Sequence, residues 1–174
     1  MLEEFKILNK ESQKKVIRNC REEINKRIIS HYRKTLANDM KDLEDFLGLG
    51  SVYNIEISKV GVYVPVDMEV LRDLEPKLWS GKDFTTWLEW IKHDVLNQKV
   101  PFSDMIKDAA YTHQYDYTLA GFVISVASSI SVHYSNLMVT ALTDDDYLIE
   151  QNFVSESYLE DVIADAMKTG CFSK

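Results

Sequence analysis

The stretch SQKKVIRNCREEINKRIISHYRKTLAN, residues 12–38, decides the fold class. Its apolar positions Val16, Ile17, Cys20, Ile24, Ile28, Tyr32, Thr35 and Leu36 recur every three or four residues over about seven turns, the spacing of one helix face. Glu11–Lys15, Glu22–Lys26 and Glu23–Arg27 each place an acid four residues before a base, the orientation that supports an isolated helix by ~0.2–0.5 kcal/mol per pair. The spacing therefore predicts one amphipathic helix from Ser12 to about Asn38. Lys14, Arg18, Arg21, Arg33 and Lys34 form a basic cluster that reads as a solvated helix face, a partner-binding surface or a nucleic-acid contact.

The rest of the chain fits a largely helical fold. The full chain of 174 residues is 45% hydrophobic and 28% charged, which excludes a disordered or low-complexity chain, and it suits one domain spanning 1–174. Six glycines and three prolines supply too few tight turns for a many-stranded sandwich or barrel. The net charge of −8 hides an asymmetry: residues 1–40 hold ten Lys/Arg against six Asp/Glu, and residues 41–174 hold ten against twenty-two. With no Pro/Gly/Ser-rich linker between them, residues 1–40 are expected to pack as a basic helix on an acidic helical body.

Beyond Gly48-Leu49-Gly50, the alternation of Val52–Ile57 and the β-branched run Val60–Val64 predict a small hairpin over about 52–64, turning near Ser58-Lys59. A lone hairpin is marginal in water, so it must pack on helices or pair with another strand. Asp67 is placed to cap a short helix with Met68, Leu71 and Leu74 inward, which Pro76 kinks or ends. Phe84, Trp87, Leu88, Ile91 and Val95 define a further helix ending near Asn97. Trp90 falls off its stripe, either as a second core contact or as an exposed anchor for a partner.

Ser103 is expected to cap a helix with Ile106, Ala109, Ala110 and His113 inward, and Asp116 to start one through Leu119, Phe122, Val123, Val126, Ala127 and Ile130. Residues 132–142 carry both strand and helix character, and the positions of Tyr134, Leu137, Met138, Ala141 and Leu142 favour helix. Asp144-Asp145-Asp146 opens another helical turn, and Ser155 is expected to cap a last helix with Tyr158, Leu159, Val162, Ile163 and Ala166 inward and Gly170 at its end.

No catalytic motif emerges. Gly48-x-Gly50 lacks the third glycine and following helix of a phosphate loop, and no G-x-S-x-G elbow exists. His31, His93, His113 and His133 are widely separated and Cys20 and Cys171 form no CxxC, so no metal or other cofactor is expected. Cys20 falls on the helix stripe and reads as a buried thiol rather than a disulfide partner of Cys171. The acidic N-terminus is no signal peptide, and Tyr117–Thr143 holds too many Ser, His and Asn residues for an ordinary membrane span, so a cytoplasmic protein is expected.

Asp104-Met105-Ile106-Lys107-Asp108-Ala109-Ala110, followed by Tyr117, Phe122 and Val126-Ala127-Ser128, resembles the central part of the phage antirestriction DNA-mimic proteins of the Ocr and ArdA type. The likeness covers about a sixth of the chain. It implies an acidic, helical, homodimeric inhibitor whose carboxylates imitate DNA phosphates against a host restriction or CRISPR-type complex. On that reading the partner-binding acids are Asp104, Asp108, Asp116, Asp144, Asp145, Asp146, Glu150, Glu156, Glu160, Asp161 and Asp165, with Trp90 beside them. Such relatives are more densely acidic, and the basic segment over 1–40 works against mimicry of a duplex with one charge per ~1.7 Å. The expectation is thus a mainly α protein that binds another protein and catalyses nothing. Two other readings stand beside it: a nucleic-acid-binding regulator that uses the basic helix, and a small enzyme that uses His93 or His113 with nearby carboxylates.

Overall fold

A computed structural model describes residues 2–78, 81–97, 99–113, 118–153 and 156–169. The architecture is mainly α with one small hairpin, as the periodicities predict. In chain order the elements are α1 (Leu2–Lys6), α2 (Lys10–Asn19), α3 (Arg21–Leu47), β1 (Glu56–Ser58), β2 (Gly61–Tyr63), α4 (Met68–Leu78), α5 (Gly81–Asn97), α6 (Ser103–Thr112), α7 (Leu119–Thr143), α8 (Asp145–Glu150) and α9 (Ser157–Lys168). One continuous apolar core runs through them, from Phe5 in α1 to Ala166 in α9.

The N-terminal stripe folds as two helices, not one. The backbone leaves helical geometry at Cys20 (φ −118°, ψ 19°), whose carbonyl accepts the first bond of α3 from Ile24 N at 2.9 Å. The break lets α2 lie on α8 and α9 while α3 runs along α7 and α9, to Leu47 rather than Asn38. Gly48 closes α3 in the left-handed region at φ 68°, a conformation that glycine adopts without steric cost. Val16, Ile17, Ile24, Ile28 and Leu36 are buried as the stripe requires, whereas Thr35 is exposed. Cys20 is half-buried and donates its thiol to Val16 O, and Cys171 lies outside the described residues.

The hairpin is shorter than its β-rich sequence and turns one residue later, at Lys59-Val60, with register Glu56↔Tyr63, Ile57↔Val62 and Ser58↔Gly61. It lies flat on α7, close enough that a Cβ on Gly61 (φ 155°) would sit 3.0 Å from Ser135 Oγ. Residues 132–142 are helical within α7, which runs unbroken for 25 residues. By length and composition α7 is apolar enough to cross a membrane; here it packs on α3, α4, α6, α8 and β2.

Several predicted boundaries move. Asp67 caps α4 as expected, accepting from Glu69 N and Val70 N at 3.1 and 3.2 Å, but Met68 is exposed and the helix continues through Pro76. Ser103 is not a cap: it is the first residue of α6, and Phe102 holds the cap position at φ 60°. The Phe102 ring is buried edge-on against Tyr134 at 5.6 Å, so side-chain burial outweighs the backbone preference. His113 caps the end of α6 and is half-buried, outside its inward row. α7 starts at Leu119 and α9 at Ser157, while the expected start Asp116, cap Ser155 and end Gly170 lie outside the described residues.

Candidate interaction surface

The basic cluster of α2 and α3 meets carboxylates of this same chain. Lys14 Nζ lies 3.0 Å from Asp146 Oδ1, and Lys10 Nζ reaches Asp146 at 3.1 Å and Glu150 at 3.0 Å. Arg18 Nε bonds Asp145 Oδ2 at 3.1 Å, and Arg21 Nε lies 3.6 Å from Asp145 Oδ1. Arg27 bonds both oxygens of Asp161 on α9 at 3.1 and 3.3 Å. The network is visible in the titration behaviour. Its hydrogen bonds from Lys14 and then Lys10 hold the Asp146 carboxyl below the usual range, and those to Glu150 and Asp146 raise the Lys10 ammonium. Burial pulls the Arg21 guanidinium down despite the opposing charges of Asp145 and Asp144.

α8 thus sits across the basic face of α2 as an internal counter-surface. Asp144 is also engaged, as the cap of α8 accepting from Tyr147 N at 3.1 Å. Of the remaining basic candidates, Arg33 donates to Ile57 O at 3.3 Å and Lys34 is exposed. Combined Asp145→Asn, Asp146→Asn and Glu150→Gln should remove several solvent-exposed ion pairs, each a small contribution that salt screens. Thermal unfolding followed by circular dichroism should show a midpoint lower by a few degrees at low salt. The gap should narrow at ~1 M salt, where the screening length is ~3 Å. A gap independent of salt would argue against an electrostatic clasp.

Of the described candidate acids outside α8 and its cap, the exposed ones are Asp104 and Asp108 on α6, Glu156 at the cap of α9, and Glu160, Asp161 and Asp165 on α9. Asp104 and Asp108, both exposed, rim a groove of ≈800 Å³ between α6 and α7. Its apolar wall includes Phe102, Met105, Tyr134 and Val132, the last 63% exposed, and among the described residues neither lysine nor arginine lines it. On α9, Glu156 and Glu160 are exposed, Asp161 is paired with Arg27, and Asp165 lies 4.0 Å from Lys168. Asp116 lies outside the described residues. Trp90 is 45% exposed and stacks on Phe46 of α3 at 5.7 Å, so one ring face packs while part of the side chain meets solvent.

The chain matches no protein-family model, no curated protein and no solved structure. Its chemistry is therefore read from its own surfaces. Among the described residues, no group of three or more His, Cys, Asp or Glu is placed to hold a metal ion. His93 is exposed, with Nδ1 3.2 Å from Asp94 Oδ1, and His113 closes α6.

Two features escape a reading by spacing. Phe5, inside an acidic N-terminal segment, is buried where α1 packs on α9. Ser131 and Ser135 fasten the hairpin to α7, the only local signal being serines every four residues on one side of an apolar helix.

Proposed function

We propose that the protein is a non-catalytic binding protein that inhibits a host nucleic-acid-handling or defence complex, engaging a basic protein surface through the α6–α7 groove. One observation carries this reading. The residues that resemble antirestriction proteins, Asp104–Ala110, Phe122 and Val126-Ala127-Ser128, lie in α6 and the first half of α7, the two helices that enclose the acid-rimmed groove, while Tyr117 lies outside the described residues. A cationic amphipathic segment fits there, with its apolar side against Met105 and Val132 and its basic groups at Asp104 and Asp108. The carboxylates of α8 take no part, because they serve α2.

The test is a DNA-cleavage assay with restriction and CRISPR-type nucleases at ~50 mM salt, where charge pairing is weakly screened. Rising amounts of the full chain should protect the DNA, and Asp104→Lys with Asp108→Lys should raise the half-inhibitory concentration by about tenfold or more through like-charge contact. Full cleavage at a large molar excess of the wild type would overturn the proposal. The nucleic-acid-binding alternative is disfavoured by the pairing of Lys10, Lys14, Arg18, Arg21 and Arg27 with carboxylates of the same chain.

A further inference from the structure

We infer that the cavity between α3, α7 and the start of α9 is a binding site for a small quaternary ammonium ion. The cavity measures ≈240 Å³, and its lining includes the rings of His31, Tyr32, Tyr134, Phe153 and Tyr158 and the carboxylates Asp39 and Glu156. It lies below the ~300–1,000 Å³ of sites for drug-sized ligands, which suits a compact head group. Among the described residues, no lysine or arginine lines it.

The rings stand in an arrangement that can surround a cation. Tyr32 and Tyr134 meet edge to face, with centroids 6.4 Å apart and planes at 73°. Tyr158 is held by a flat stack on His31 at 4.0 Å and 10°, and Tyr134 is braced from another side by Phe102 at 5.6 Å. An aromatic face carries the negative end of a quadrupole and attracts a charge spread over methyl groups. A quaternary ammonium needs no hydrogen-bond acceptor and rests on apolar ring carbon, whereas a primary ammonium seeks three acceptors and would favour the carboxylates alone. Asp39, half-buried on α3, adds a full negative charge at the same place.

The lining is partly shielded from water. Burial pushes the Tyr32 hydroxyl up to about 12 and lifts Tyr134, and burial followed by the charge of Asp42 lifts the Asp39 carboxyl. Tyr158 is raised by burial first and then by Glu156 and Tyr32. The cavity shares the Tyr134 wall with the α6–α7 groove, but its occupancy does not depend on the inhibitor reading.

The test is calorimetric titration of the full chain with choline chloride, compared with 3,3-dimethylbutan-1-ol, its uncharged isostere. Choline should bind one to one and about tenfold or more tighter than the alcohol, since only the charge differs. Tyr32→Leu and Tyr158→Leu should each weaken choline by about tenfold, while the Tyr→Phe variants, which keep the ring, should bind it almost as well as the wild type. Asp39→Asn should weaken choline several-fold and leave the alcohol unchanged, a readout that survives if the leucine variants fail to fold. Equal binding of choline and alcohol, or no saturation with choline, would overturn the inference. So would binding to phosphatidylcholine vesicles that free choline does not displace, because it would place recognition on a membrane surface instead of in the cavity.

Discussion

Replacing Ser131 and Ser135 together by alanine should detach the hairpin from the helical body, at about 1–3 kcal/mol for each backbone group left without a partner. The reason lies in the sheet register. In a two-stranded antiparallel ladder, alternate residues turn their N–H and C=O away from the partner strand. Ser58↔Gly61 and Glu56↔Tyr63 flank Ile57↔Val62, and both backbone groups of Val62 are bonded by α7. Ser135 Oγ accepts from Val62 N at 2.8 Å and donates to Val62 O at 2.9 Å, and Ser131 donates to the same carbonyl at 2.6 Å. Val62 is 3% exposed, so water does not readily replace those bonds. Denaturant unfolding should show the loss, with faster hydrogen exchange at the Val62 amide. Ser128→Ala, on an exposed position of the same helix, should do neither. If the double variant behaves like Ser128→Ala in both measurements, the serines do not hold the hairpin.

Phe122→Ala should cost about 3–5 kcal/mol, the range for emptying an aromatic core position that cannot fully collapse. Phe122 is completely buried on α7 and meets the edge of Trp87 at 5.5 Å and 85°. Trp87 in turn rests on Phe84 at 5.9 Å, so one deletion removes the floor from two α5 aromatics. For a chain of this size, where 1 kcal/mol moves the midpoint by roughly 2–4 °C, the thermal transition should fall by about 10 °C. Ile124→Ala, two residues on and 42% exposed, should stay within about 0.5 kcal/mol. Equal losses for the two would contradict the placement of the core.

The helices were legible because their signal is local. Phe84, Leu88, Ile91 and Val95 are all buried, as their spacing requires, and so are Leu159, Val162, Ile163 and Ala166. Errors fell where packing overrides local preference. The stripe over 12–38 does not show that its helix breaks at Cys20, since apolar spacing passes straight through the break. Phe102 is left-handed at φ 60° because its ring is buried on Tyr134, a contact across 32 positions that no capping rule contains.

The candidate surfaces were less legible than the helices, and the charges show why. The asymmetry between residues 1–40 and the rest is plain in the composition, as is the acidic run Asp144–Asp146. That the two neutralise each other depends on α8 coming to rest on α2, more than 120 positions away. The sequence by itself determined the helical class, the stripes that form the core and the place of the hairpin, because periodicity of 3.6 or 2 is written into neighbouring residues. Only the tertiary structure decided which carboxylates face solvent, what fastens the hairpin, and that Tyr32, Tyr134 and Tyr158 share one cavity. Those facts rest on contacts between distant segments, whose partners are chosen by how whole helices pack.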